Sequence, residues 1–275
     1  MIELFSLFKL SFVLCCLAGI LLPIQGAHLV SRKESLQILA LAQAGLVGSL
    51  IGKALWYDLP GISLVFSLLF FILIKVFFIM NKRTNEAFYI VTYLVLLALG
   101  QSMIAIFPSL DSHMALGLFG DIVSLSEVST ASLIAIFMNI LVLQMYFSTK
   151  IERITIERSI LGSQKIYIFE ELLYALTFIF SLYGLGLLFT VGLYIIPCVV
   201  GGKVIKSFSG SFLFLGIMGA FSASGGLALS IYFSKLSTVP SQIIILLLLL
   251  LLGKIVGSRY EKVRSNLKRK EIKCN

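Results

Sequence analysis

The chain has 275 residues, of which 59% are hydrophobic and 13% charged, with a formal net charge of +9 and a mean hydropathy of +1.05. Soluble domains are about half apolar and a quarter charged, so this chain has too little polar surface to coat a water-facing globule. The composition excludes a soluble domain and predicts an all-α polytopic membrane protein with about nine transmembrane helices.

A helical span needs about 20 apolar residues to cross the hydrocarbon core. The first predicted span, Leu4–Val30, carries His28 near its end. It opens with Glu3 in place of a basic cluster and has a poor cleavage site at Gln25-Gly26, so it reads as a retained span and not a signal peptide. The second, Ser35–Trp56, holds Gln43 and a Gly48-x-x-x-Gly52 spacing that lets backbones approach closely. The third and fourth are Ile62–Ile79 and Ala87–Phe107, the latter with Gln101. The long Pro108–Val128 connection has no Lys or Arg and sets His113 near Asp111 and Asp121 in an expected solvated loop.

Span five, Ser129–Phe147, contains Asn139 and Gln144, and a basic connection follows it. Span six, Ile166–Leu182, begins with Glu170-Glu171, read as an interfacial pair held in water. Only Tyr183-Gly184 separates it from span seven, Leu185–Ile205. About 40 apolar residues are too many for one crossing, so a tight helical hairpin is expected there. Span eight, Ser211–Phe233, is rich in Gly and Ser, and Ile243–Val256 is the ninth. These elements form one transmembrane domain over residues 1–256, followed by a basic tail over 257–275.

Basic residues mark cytoplasmic ends. Arg32 and Lys33 follow span one, Lys82 and Arg83 span three, and Lys150, Arg153, Arg158 and Lys165 span five. Lys203 and Lys206 follow span seven, and the tail is basic throughout. The alternation predicts an N-terminus outside and a C-terminus in the cytoplasm. The net charge is then an orienting and lipid-facing signal, and no nucleic-acid partner is expected.

Enzymatic motifs are missing. There is no H-E-x-x-H, no Ser/His dyad, no paired intramembrane aspartates and no G-x-x-x-x-G-K-[ST]. Cys15, Cys16 and Cys198 fall within spans and Cys274 in the tail, which implies no disulfide framework. The polar residues at depth are the ones expected to face a cavity or a partner.

Gly186–Pro197 (Gly-Leu-Leu-Phe-Thr-Val-Gly-Leu-Tyr-Ile-Ile-Pro), continued to Phe208, resembles the signature region of ABC-type metal-ion permeases, the membrane subunits of zinc and manganese importers. Gly26–Val30 with Arg32, Leu39–Gly48, Asn85-Glu86-Ala87, Gly120-Asp121-Ile122, Ser224-Gly225-Gly226 with Tyr232, and Pro240-Ser241 are similar to that family in the same order, over roughly residues 10 to 256. The resemblance implies a non-enzymatic transport subunit of a bacterial inner (plasma) membrane importer for a divalent metal such as zinc, manganese or iron. It implies no cofactor in this chain, ATP being bound by a cytoplasmic partner subunit. It further implies a periplasmic or lipoprotein substrate-binding protein and a second permease, identical or sister.

One departure stands out. Family members carry Asp and His one helical turn apart in span two, where this chain reads Leu39-Ala-Leu-Ala-Gln43. Leu offers no donor atom and an amide oxygen is neutral, so the metal site does not carry over. Gln43, His28 and Asp121 are the expected substrate-path residues. Gly201, Gly202, Lys203, Lys206 and Ser207 match the segment expected to couple to the ATPase. Two other readings remain open: a permease for a metal chelate or other small solute, and a non-transporting membrane scaffold derived from a permease.

Overall fold

The computed structural model describes residues 8–56, 61–81, 86–120, 122–123, 125–161, 167–201, 208–233 and 236–253. These residues form helices with no strand among them. In lipid every backbone N–H and C=O needs an internal partner, and a helix supplies one within a single apolar segment. The helices are α1 (Lys9–Ser31), α2 (Ser35–Leu55), α3 (Ile62–Met80), α4 (Glu86–Ile106), α5 (Asp111–Phe119) and α6 (Glu127–Tyr146). They continue as α7 (Ser148–Leu161), α8 (Ile168–Leu185), α9 (Leu187–Gly201), α10 (Phe208–Tyr232) and α11 (Thr238–Gly253).

Among the described residues, seven of these helices are long and apolar enough to cross a membrane: α1, α2, α3, α4, α6, α8 and α10. The expected spans seven and nine fall on the shorter apolar helices α9 and α11. The layering follows side-chain size. The inner helices α1, α2 and α8 are mostly buried, and they carry the Gly, Ala, Thr and Gln residues that permit close or polar packing. The outer helices α3, α4 and α6 turn Phe, Leu, Ile and Val outward, as lipid contact requires.

Close approach explains several of the glycines. A Cβ on Gly48 would sit 2.5 Å from the Phe66 carbonyl oxygen of α3, so α2 and α3 touch backbone to backbone. The same holds where α1 crosses α10, with the Gly19 and Gly219 backbones in direct contact.

The expected hairpin is present, with its turn two residues later than the sequence suggested. Gly186 adopts φ +85°, a left-handed conformation that suits glycine, and it ends α8. The Ser181–Thr190 hydroxyl bond of 2.7 Å and the Phe178–Tyr194 ring contact pair residues symmetrically about it. The chain therefore folds back on itself at Gly186.

Three expectations need correction. The connection over 108–128 is not a plain loop: Pro108–Leu110 form a 3-10 turn and α5 follows, packing Leu110 and Met114 against Leu46 and Leu50. The basic connection after α6 is helical, because Ile151, Ile154 and Thr155 lie on one face that is buried. Glu170 is not held in water but is 1% exposed, and Glu171 is ion-paired inside the bundle. The desolvation cost of these acids is met by basic partners from other elements, which the local sequence does not reveal.

Candidate functional site: a polar interior and a buried charge network

Two polar clusters occupy the interior. The first centres on Gln25 of α1, which is fully buried. Its Nε2 donates to Gln144 Oε1 at 3.0 Å and to Thr177 Oγ1 at 2.9 Å, and the Tyr194 hydroxyl donates to its Oε1. One amide thus binds α1 to α6, α8 and α9. Gly26 makes this possible, since a Cβ there would lie 2.0 Å from the Tyr194 carbonyl oxygen.

The second cluster lies where α1 ends and α8 begins. Arg32 Nη2 donates to Glu170 Oε1, and both side chains are 1% exposed. The Tyr174 hydroxyl donates to the same carboxylate oxygen at 3.1 Å, and the Arg32 guanidinium lies 5.9 Å from the Tyr174 ring centre. Burial works against the Arg32 charge, but Tyr174, Glu170 and Glu34 more than offset it, so its pKa is raised above the ordinary arginine value.

Beside this pair, Lys75 of α3 reaches Glu171 at 3.1 Å and Glu34 at 3.7 Å. Arg158 of α7 reaches the same two acids at 2.7 Å and 3.9 Å. Four charges form a closed square, and with Arg32–Glu170 the cluster balances three acids against three bases. Arg32 and Glu170 are fully buried and the four members of the square are largely buried, so losing any partner leaves a poorly solvated charge uncompensated. Among the described residues no group of three or more His, Cys, Asp or Glu is placed to hold a metal ion.

Of the expected path residues, Gln43 and His28 have different neighbours. Gln43 is 1% exposed and faces α4, where a Cβ on Gly100 would lie 3.8 Å from its Nε2. That Nε2 has no hydrogen-bond partner among the described residues. His28 is also buried, with Nδ1 2.9 Å from Thr155 Oγ1 and its ring stacked on Phe212 at 4.6 Å. Asp121 lies outside the described residues, as do Gly202, Lys203, Lys206 and Ser207. Gly201 ends α9, buried against Leu215 and Leu250.

At the opposite end from the charge network, a cavity of about 370 Å³ is lined by residues that include Ser49, Lys53, Ser63, Ser67, His113 and Tyr183. Burial, reinforced by Lys53, lowers the His113 pKa below the ordinary histidine value.

Sequence reasoning missed Gln25, Lys75 and the partners of Glu170 and Glu171. A signal was available for Lys75, since an ammonium within the apolar run Leu73-Ile74-Lys75-Val76 demands a buried partner. No comparable signal marked Gln25, whose partners lie 119 to 169 residues away.

A bundle of membrane-length helices around a buried polar interior defines a multi-pass membrane protein. A family model described as the ABC 3 transport family matches residues 5–257, and the chain belongs to that family. It is therefore a membrane component of an ABC transporter. Among solved structures it is similar to PsaBC from Streptococcus pneumoniae in complex with Fab, with a TM-score of 0.76 and 18% identity. The match covers 96% of this chain and 100% of that one, and at this identity it shows a shared fold. A search of curated proteins finds no match.

Proposed function

We propose that the chain is the permease of an ATP-driven importer that carries a divalent metal, zinc, manganese or iron, into a bacterial cell across the inner membrane. The observation that carries this reading is the family match over residues 5–257 on a bundle of membrane-length helices. The likeness to PsaBC over the whole of that chain supports it. In this reading the seven long helices and the shorter α9 and α11 make nine crossings, with the N-terminus outside and the basic tail in the cytoplasm. The permease pairs with a second copy or a sister chain, receives substrate from an external binding protein, and leaves ATP hydrolysis to a cytoplasmic subunit.

Gln43 is the proposed path residue. It sits mid-helix with an amide nitrogen that lacks a partner among the described residues, at a contact kept open by Gly100, and an unsatisfied donor in this setting is costly unless something engages it. The segment from Gly201 to Phe208 joins α9 to α10 and is the proposed contact with the ATPase.

A second reading has one residue-level argument in its favour. Leu39 and Gln43 offer a single neutral amide where the resembling permeases place Asp and His, and this suits a chelated metal or another neutral solute better than a bare dication. Gentle isolation from the native membrane, followed by mass spectrometry of what co-purifies, tests the main reading. A stoichiometric ATP-binding subunit is expected. Recovery without one, in a preparation that keeps other ABC complexes intact, would favour the scaffold reading. Competition between free metal and chelate in vesicle uptake separates the two substrates.

A further inference from the structure

We propose that Thr155, His28 and Arg32, backed by the Lys75–Glu34–Arg158–Glu171 square, are positioning residues that carry movement from the 201–208 segment into the helix bundle. The inference rests on reading that segment as the ATPase contact.

The contacts form a continuous chain. Phe212, in the second turn of α10 and just beyond the segment, stacks on the His28 ring with centroids 4.6 Å apart and planes 27° off parallel. His28 Nδ1 lies 2.9 Å from Thr155 Oγ1. Arg32 Nη2 donates to that same oxygen at 2.7 Å, and the hydroxyl itself donates to the Ile151 carbonyl at 2.9 Å.

A threonine hydroxyl has one proton and two lone pairs. With its proton on Ile151, it accepts from both neighbours, so His28 carries its proton on Nδ1. All three capacities of one buried hydroxyl are filled, and it joins α1 to α7 at two points.

From Arg32 the chain passes to Glu170 in the first turn of α8. The next residue, Glu171, holds Arg158, which lies one helical turn beyond Thr155 on α7. Lys75 ties the same carboxylate to α3, and both cations also reach Glu34 at the start of α2. The amphipathic helix α7 is therefore gripped on successive turns, by α1 through Thr155 and by α8 through Arg158.

Separating α1 from α8 would strand the buried Arg32 or Glu170, and separating α2, α3 or α7 would unpair a largely buried charge, so these elements move together. Thr155 differs from the charged members in one useful way. Removing its hydroxyl leaves Arg32–Glu170 intact and every charge compensated, while detaching α7 from the His28–Phe212 contact. A merely structural staple and a positioning role then predict different outcomes.

The test uses the complex with its own ATP-binding subunit and binding protein, reconstituted in liposomes, with Zn²⁺ or Mn²⁺ as the probe ion. The readout is ions taken up per ATP hydrolysed. Thr155→Val is expected to keep ATP hydrolysis and to lower that ratio about five-fold or more, the lower end of ordinary coupling between sites. Thr155→Ser is expected to restore it. An unchanged ratio in Thr155→Val overturns the proposal. Should Thr155→Val fail to insert, Phe212→Leu decides the matter by the same criterion.

Gly202→Val separates the two levels of the argument. If it uncouples transport while Thr155→Val does not, the positioning chain is refuted and the ATPase contact stands. If Gly202→Val leaves coupling intact, or the wild-type complex moves neither ion, the reading beneath has failed and the proposal falls with it.

Discussion

Gly219 and Gly225 sit on the same helix, α10, and the structure predicts opposite responses to the same added methyl group. A Cβ on Gly219 would lie 2.1 Å from the Gly19 carbonyl oxygen and 2.7 Å from Pro23 Cγ. Ordinary contact begins near 3.4 Å, so α1 and α10 would have to part by more than a side-chain adjustment. The opposing atom is backbone and cannot rotate away. Nor can α1 retreat, because Leu14, Cys15, Ala18, Leu21 and Leu22 are fully buried on neighbouring turns.

Overpacking of this kind costs about 1–3 kcal/mol. Replacing helical Gly with Ala returns about 0.5–1 kcal/mol, leaving Gly219→Ala net destabilised by up to about 2.5 kcal/mol. A Cβ on Gly225 meets only Ile245 Cδ1 at 3.9 Å, so Gly225→Ala keeps the gain of about 0.5–1 kcal/mol and pays no steric cost. Thermal unfolding of the two purified variants beside wild type, in one detergent, should bracket the wild-type midpoint. Equal midpoints, or Gly219→Ala above Gly225→Ala, would refute the backbone contact between α1 and α10.

Other substitutions probe the polar interior. Gln25→Leu removes three inter-helix hydrogen bonds, each worth about 0.6 kcal/mol in a membrane bundle, so a loss of about 2 kcal/mol is expected in the same unfolding assay, and no loss would count against the node. Arg32→Met strands Glu170 at a cost of about 3–5 kcal/mol, and Arg32→Met with Glu170→Leu should recover most of it; a double variant no better than the single would sink the ion-pair account. Gln43→Leu should lower uptake without lowering the amount of inserted protein, and wild-type uptake would remove Gln43 from the path. His113 has a depressed pKa, so its neutral form contributes stability that is full above the unfolded value of about 6.5 and lost as pH falls below it. His113→Gln should therefore flatten the fall in melting temperature between neutral and mildly acid pH, and an unaltered slope would contradict this.

The seven long spans were legible because membrane thickness imposes a length on each apolar run, and a run of that length shows in the sequence itself. The hairpin was legible for the same reason, although Gly186 and not Tyr183-Gly184 makes the turn, since only the fold shows which residue takes the left-handed conformation. The helical state of 148–161 was harder to read. Its buried face is only Ile151, Ile154 and Thr155 among charged neighbours, a weak pattern without the groove that receives it. Glu170 looked like a solvated residue because its partners, Arg32 and Tyr174, come from a distant turn and from its own helix one turn on.

The sequence by itself determined the membrane solvent of this protein, its helical class and the approximate placement of its seven long apolar helices. These are properties of single segments, decided by the transfer of side chains and backbone between water and lipid. Only the tertiary structure decided which polar residues meet. Gln25 with Gln144, Thr177 and Tyr194, and Lys75 with Glu34 and Glu171, are encounters between segments far apart in the chain. Their energy comes from pairing after desolvation, which exists only once the helices have packed; the sequence shows that Lys75 needs a partner, but not which one.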